Sequence, residues 1–216
     1  TIQKVLDALR SQSENSIWRG VTHSEIVEAF ETNASKRGWL LANYRSSSHL
    51  DGLDTVGSWD VSGPRLIRPT EEEDSSLAIG YYNCHSRTRS PQSIYAYAGL
   101  RLTDGDVGIV FNEWFMGRHT ILFDAHDVCW GILAKLCQAS LGYPAVVRTL
   151  HSRLLERKEW TRLLLDAGRK GLMPWARLSK VDELFQKGMP SSWNLLTAFA
   201  SVAKQNPPLL QMRQVH

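Results

Sequence analysis

The sequence of 216 residues predicts an α+β protein: a curved antiparallel sheet packed by N-terminal helices, followed by an α-helical C-terminal half. Three observations lead to this class. Capped amphipathic patterns near the N-terminus indicate helices, and residues 77–121 hold short β-branched and aromatic runs between turn-forming clusters, as in an antiparallel meander. From Asp124 onward, apolar residues recur at helical spacing. We predict a sheet domain over 1–122 and a helical region over 123–216 packed on it, with one continuous domain as the alternative.

The N-terminal third is predicted to contain two helices and then strands. An amphipathic pattern indicates a first helix over 2–11. Thr22-His-Ser-Glu25 fits a capping box, in which the Thr hydroxyl and the Glu carboxylate satisfy exposed amides, and Gly38 is a natural end for the helix that it opens. The other predictions are strands at 39–44, 55–61 and 65–68, a turn at 46–52 and an acidic loop at 70–76.

The C-terminal half is predicted to contain four or five helices, which begin at Asp124, Pro144, Ser179 and Ser191. The pattern that Pro144 opens reaches about Gly168. Charged residues at 156–159 interrupt it, so it is either one bent helix or two successive helices. The first of these helices buries an apolar stripe of Val128, Cys129, Ile132, Leu133 and Leu136.

The composition excludes several classes of protein. With 43% hydrophobic residues, 22% charged residues and eight Trp, the chain is neither disordered nor collagen-like. No apolar run approaches the roughly 18 residues that span a bilayer, and the first ten residues do not resemble a signal peptide, so we expect no membrane and a cytoplasmic location. The three cysteines, Cys84, Cys129 and Cys137, lack a paired spacing and are expected to be free, buried thiols.

Positive charge is concentrated in the C-terminal half, although the net charge of the chain is only +3. Residues 145–180 carry nine Lys and Arg against three Asp and Glu, whereas residues 1–83 carry eight against twelve. Such asymmetry suggests a polyanionic partner, with an ordinary solvated helix surface as the alternative.

Five short motifs carry a resemblance to a known family. They are the helix-to-strand segment 22–44, Asn83-Cys-His-Ser86, Gly99-Leu-Arg-Leu102, Gly117-Arg-His-Thr120 and Ser192-Trp-Asn-Leu-Leu-Thr-Ala198. Together they resemble the phage- and plasmid-associated family catalogued as domain of unknown function 932. Two positions depart from its pattern, since Arg87-Thr-Arg89 replaces an Asp-Gly and Phe111-Asn-Glu113 replaces a Cys-Asn-Gly. The resemblance implies a phage or mobile-element protein in a bacterial host cell, and the element order is similar to that of phage single-strand-annealing recombinases.

The residue types favour nucleic-acid binding, which needs cations for phosphates and aromatic faces for bases. The meander loops collect His85 and His119 with several Arg, and the strand after the first loop places two Tyr on one face. A straight helix over 145–169 would align His151 with three cations, with Arg148 at the edge of the stripe. The predicted nucleic-acid contacts are Arg87, Arg89, Tyr95, Tyr97, Arg118, Arg148, Lys158 and Arg162, and the stripe continues to Arg169.

Catalytic alternatives have weaker support in the sequence. His119, Asp124, His126 and Asp127 fall within nine residues and form a conceivable metal site, but a helix start explains the two Asp equally well. Cys84 and the adjacent His85 would point to opposite faces of a strand and cannot pair directly. We therefore predict no catalytic residue, no metal and no cofactor.

The leading hypothesis is a non-enzymatic nucleic-acid-binding protein with a preference for single-stranded DNA, extended to a homo-oligomer that anneals strands in recombination. The alternative is an anti-defence or scaffold protein that binds a host protein through exposed Trp. Candidate anchors for such an interface are Trp18, Trp59, Trp114, Trp160, Trp175 and Trp193.

Overall fold

The computed structural model describes residues 20–49, 54–69, 75–85, 93–102, 109–120 and 122–203. Their elements are, in chain order, α1 (His23–Lys36), β1 (Leu40–His49), β2 (Asp54–Ser62), β3 (Ser75–Cys84), β4 (Ser93–Leu102), β5 (Ile109–Arg118), α2 (Ala125–Ser140), α3 (Tyr143–Ser152), α4 (Arg157–Arg169), α5 (Trp175–Gln186) and α6 (Ser192–Ala203). The strands form one antiparallel sheet in sequential order, with β1 and β5 at its edges. The predicted α+β class is confirmed.

Helix α1 begins at the predicted capping box. The Thr22 amide donates to Glu25 Oε2 at 2.6 Å, and the Glu25 amide donates to Thr22 Oγ1 at 3.2 Å. The helix ends before Gly38, whose φ of 69° lies in the left-handed region that glycine adopts without strain. The residues that it buries include Ile26, Phe30 and Ala34, whereas Val27 is only partly buried.

Two predictions about the first strands are wrong. The predicted turn at 46–52 begins too early, because the serines at 46–48 continue β1 and pair with 55–57 of β2. An edge strand tolerates such a polar run, since one of its sides faces solvent. Residues 65–68 form no strand, and Arg65 has a φ of 67° in the turn after Gly63-Pro64. The predicted helix at 2–11 and residues 70–74 of the acidic loop lie outside the described residues.

The two faces of the sheet differ in chemistry. Alternate residues such as Trp59, Ile79 and Ala96 join α1, α2 and α3 in the main hydrophobic core. The opposite, more polar face carries Ser58 and Asp60 of β2 beside a small apolar cluster of Val56, Tyr82 and Cys84. The predicted stripe of α2 is buried in the main core, which fixes this helix against the sheet.

One carboxylate on the polar face links four strands. Asp60 accepts hydrogen bonds from Asn43 of β1 at 2.8 Å, from Ser76 of β3 at 2.9 Å and from Arg101 of β4 at 2.6 Å. Arg101 is 1% exposed and also donates to Ser58 Oγ at 2.7 Å. Burial lowers the pKa of Arg101, and the Asp60 charge acts in the opposite direction. Asn43 reaches this carboxylate from a β-bulge in which its own φ is 51°.

The helical half contains a break that splits the long pattern after Pro144. Helix α3 ends at Ser152 and α4 begins at Arg157, so the one-helix interpretation is wrong and the two-helix alternative is confirmed. The connecting residues pair with the segment before α6: Leu154 bridges Ser191, and the Ser192 amide donates to the Arg153 carbonyl at 2.9 Å. Backbone pairing with a distant segment has thus replaced local helical bonds.

Helix α5 begins at Trp175, four residues before the predicted start at Ser179, with Pro174 as its N-cap residue. Helices α4, α5 and α6 bury a second hydrophobic core, in which Leu164, Val181 and Leu195 are members. The division into a sheet domain over 1–122 and a helical region over 123–216 stays a prediction. None of the helices in the described ranges is both long and apolar enough to cross a membrane.

Candidate nucleic-acid interface

The meander brings His85 and His119 together, as their position in neighbouring loops suggests. Their ring centroids are 4.4 Å apart, and the side chains are 5% and 2% exposed. The Val21 amide donates to His119 Nδ1 at 3.2 Å, and Asn83 Nδ2 donates to the Val21 carbonyl at 3.0 Å. Burial lowers the pKa of His85. This pair therefore clamps the segment leading into α1 and does not present its rings to a large ligand.

Three of the four residues of the conceivable metal site take separate structural roles, and the fourth, Asp127, is exposed in the first turn of α2. Asp124 accepts from the His126 amide at 2.7 Å and caps α2, while the His126 ring lies 3.2 Å from Asn33 Nδ2. His119 lies with His85. Within the described parts of the chain, no three His, Cys, Asp or Glu side chains are grouped closely enough to hold a metal ion.

The two tyrosines of β4 differ in what they offer to a base. Tyr95 is partly buried and stacks with Tyr82, with ring centroids 6.0 Å apart. Tyr97 is only 6% exposed, and its ring lies over Gly80, where an added Cβ would be 2.7 Å from Tyr97 Cζ. Burial also raises the pKa of Tyr97. Tyr97 consequently exposes no face on which a base can stack, and it is removed from the set of stacking candidates.

The predicted arginines of the meander are only partly placed. Arg118 is exposed at the end of β5, where it pairs in register with Ser93. Arg87 and Arg89 lie outside the described residues, so their contribution stays a prediction.

The basic stripe survives in shortened form on a single helix. Because the chain leaves the helical conformation between α3 and α4, Arg148 and His151 are not in line with the cations that follow. His151 instead stacks on Trp193, with ring centroids 4.6 Å apart. Lys158, Arg162 and Arg169 are all exposed on α4. At 3.6 residues per turn they lie within about 40° of one another. We call these three residues the α4 basic face.

The opposite side of α4 explains why this face points outward. Leu164 and Ala167 lie about 120° or more around the helix from each residue of the basic face and are buried in the second core. A carboxylate lies beside the basic face, because Asp166 Oδ2 is 3.9 Å from Arg162 Nε. That pair is exposed, and exposed pairs of this kind contribute little to stability. The α4 basic face is therefore open to a polyanion.

One aromatic residue beside this face emerges from the fold. Trp175, which the sequence suggests only as one of several protein-interface anchors, is 55% exposed at the start of α5. Its ring lies against Gly168 of α4, where an added Cβ would be 2.5 Å from Trp175 Cη2. Gly168 is part of the helix that carries the cations and lies about 80–120° around it from the three basic residues, so the exposed indole sits on the flank of α4 beside the α4 basic face. The sequence signal for this contact is faint, because a single glycine near a helix end usually marks a C-cap.

No protein-family model, curated protein or solved structure matches the chain. The resemblance to the family of domain of unknown function 932 therefore stays a prediction.

Proposed function

We propose that the protein is a non-enzymatic nucleic-acid-binding protein of a phage or other mobile element, with single-stranded DNA as the favoured ligand and oligomeric strand annealing as its extension. The α4 basic face is the observation that carries the proposal. Its three cations span twelve residues, or about 16 Å of helix axis. One strand of B-form DNA carries about five phosphates over that length, so one strand provides phosphates for all three side chains.

The wider charge distribution supports the same function. The nine Lys and Arg of residues 145–180 all lie in the described part of the chain, and all except Arg177 are exposed. Arg148 is also exposed, on the separate helix α3. A surface with this excess attracts phosphates through counterion release, which makes the affinity strongly dependent on salt.

A salt titration tests this function. Fluorescence anisotropy of a labelled single-stranded oligonucleotide should show binding at low salt and a linear fall of log K with log salt. The variant Lys158→Ala/Arg162→Ala should reduce that slope by about 1.4, because each single-strand phosphate contact contributes about 0.7.

The matched control is Lys36→Ala/Arg68→Ala, which removes the same charge from exposed positions elsewhere in the molecule. It should leave the slope nearly unchanged. Equal slopes for the wild type and the α4 variant would remove α4 from the interface.

A second candidate function has one observation in its favour. Trp114, Phe115 and Met116 are consecutive on the edge strand β5 and are 40–48% exposed. Consecutive exposed apolar residues on a sheet edge are typical of a protein-binding surface. Lys135 occupies part of this region, since its ammonium donates to the Trp114 carbonyl at 3.1 Å. Absence of oligonucleotide binding at low salt would favour an anti-defence or scaffold protein that acts by binding a host protein.

A further inference from the structure

We propose that Trp175 is the base-stacking platform of this surface and gives the protein its preference for single-stranded over double-stranded nucleic acid. This inference rests on the proposed function, and it assigns the aromatic component that Tyr97 cannot supply. It depends on how Trp175 is held, on the charges around it and on the difference between paired and unpaired bases.

The indole is fixed on one side and open elsewhere. Trp175 Cη2, Cζ3 and Cζ2 lie 2.5–2.7 Å from the position that a Cβ of residue 168 would take, so the ring rests on α4 where glycine leaves room for it. The side chain is nevertheless 55% exposed. A ring supported in this way offers a flat apolar surface at little cost in side-chain freedom.

The segment that contains Trp175 carries more cations than carboxylates, and its nearest acidic residues in sequence are Asp166 and Asp182. Residues 167–181 contain Arg169, Lys170, Arg177 and Lys180 and no Asp or Glu. Arg169, the last residue of the α4 basic face, follows Gly168 in the chain and lies about 100° further around the helix. An exposed aromatic ring in a segment with more cations than carboxylates complements a ligand that carries phosphates and flat apolar bases.

The preference for single-stranded over double-stranded nucleic acid follows from which base faces are free to stack on the indole. In a duplex the bases are stacked on each other, and only phosphates and groove edges are offered to the protein. An unpaired base can lie on the indole while the phosphates of the neighbouring backbone contact the α4 basic face. Loss of one such stacking contact weakens binding by about 5- to 150-fold.

The experiment compares one oligonucleotide sequence in single-stranded and double-stranded form, at constant low salt, against three variants. Trp175→Ala should weaken single-strand binding by about 5- to 150-fold and leave duplex binding nearly unchanged. Trp175→Phe keeps an aromatic ring and should lose less single-strand affinity than Trp175→Ala. The control Trp114→Ala removes an indole that is 48% exposed on β5 and should bind both forms like the wild type.

Each result separates this inference from the function on which it rests. Binding of neither form by the wild type would refute the proposed function itself. Wild-type binding together with full single-strand affinity of Trp175→Ala would refute the stacking role and leave the function standing. If Trp175→Ala lowers the affinity for single-stranded and double-stranded oligonucleotide equally, Trp175 only maintains the packing of α4 on α5. The same conclusion holds if Trp175→Phe binds single strands no better than Trp175→Ala. Urea unfolding of each variant confirms that the comparison is made on folded protein.

Discussion

Replacing Asp60 by Asn should destabilise the sheet more than most single substitutions. The carboxylate accepts three side-chain hydrogen bonds from three neighbouring strands, including the ion pair with Arg101 at 2.6 Å. An asparagine presents one acceptor oxygen, and its amide would face donors. The Arg101 guanidinium, which is 1% exposed, would then be a buried charge without a counterion. Breaking such a pair costs about 3–5 kcal/mol, a large part of the roughly 5–15 kcal/mol that stabilises a typical domain.

Urea unfolding followed by tryptophan fluorescence measures this loss. The midpoint for Asp60→Asn should fall while the slope stays unchanged, because the surface exposed on unfolding is the same. The control Glu183→Gln breaks the exposed pair with Lys180 at 2.8 Å and should leave the midpoint unchanged.

The double variant Asp60→Asn/Arg101→Met should recover part of the lost stability, since it removes the uncompensated charge. A midpoint for Asp60→Asn equal to that of the wild type would refute the reasoning.

Two further predictions concern buried groups. Burial lowers the pKa of His85 below 6.5, so the unfolded chain binds more protons than the folded protein below that pH. The contribution of His85 to the free energy of unfolding should therefore be fully present above pH 6.5 and be lost as the pH drops toward the folded-state pKa. His85→Gln should flatten this fall in stability between pH 7 and 5. A pH profile of stability equal to that of the wild type would contradict the prediction. Gly80→Ala should destabilise by about 1–3 kcal/mol, because its Cβ would lie 2.6 Å from the Gly57 carbonyl oxygen. Gly131→Ala in α2 meets only an ordinary contact at 3.8 Å and should stabilise by about 0.5–1 kcal/mol; thermal unfolding of both variants checks the opposite signs.

Local signals in the sequence were sufficient for several elements. The capping box at Thr22, the glycine at position 38 and the apolar stripe of α2 each depend on residues within one or two turns of helix. The meander could be recognised in the same way, because its strands follow one another and each pairs with the next. For these parts, the nearest residues in the chain determine the structure.

Contacts between distant residues could not be predicted in this way. The hydrogen-bond donors to Asp60 come from positions 43, 76 and 101, and only the strand register brings them together. The break after Ser152 depends on pairing with Ser191, which no helical pattern in 144–168 can reveal. The contact of Trp175 with Gly168 likewise required the relative placement of α4 and α5. Periodicity showed that Tyr95 and Tyr97 share a face but not that this face is covered at Tyr97.

The connection between α3 and α4 has a consequence for recognition. Two backbone hydrogen bonds, Leu155 amide to Pro190 carbonyl at 2.7 Å and Ser192 amide to Arg153 carbonyl at 2.9 Å, fasten this short link to the start of α6. Helix α4 therefore cannot pivot freely about the point where the helical path is interrupted. The cations of the α4 basic face are therefore preorganised before the proposed ligand binds, and binding costs the protein little conformational entropy. Weakening these two hydrogen bonds should slow the binding of single-stranded nucleic acid, although every basic side chain is kept.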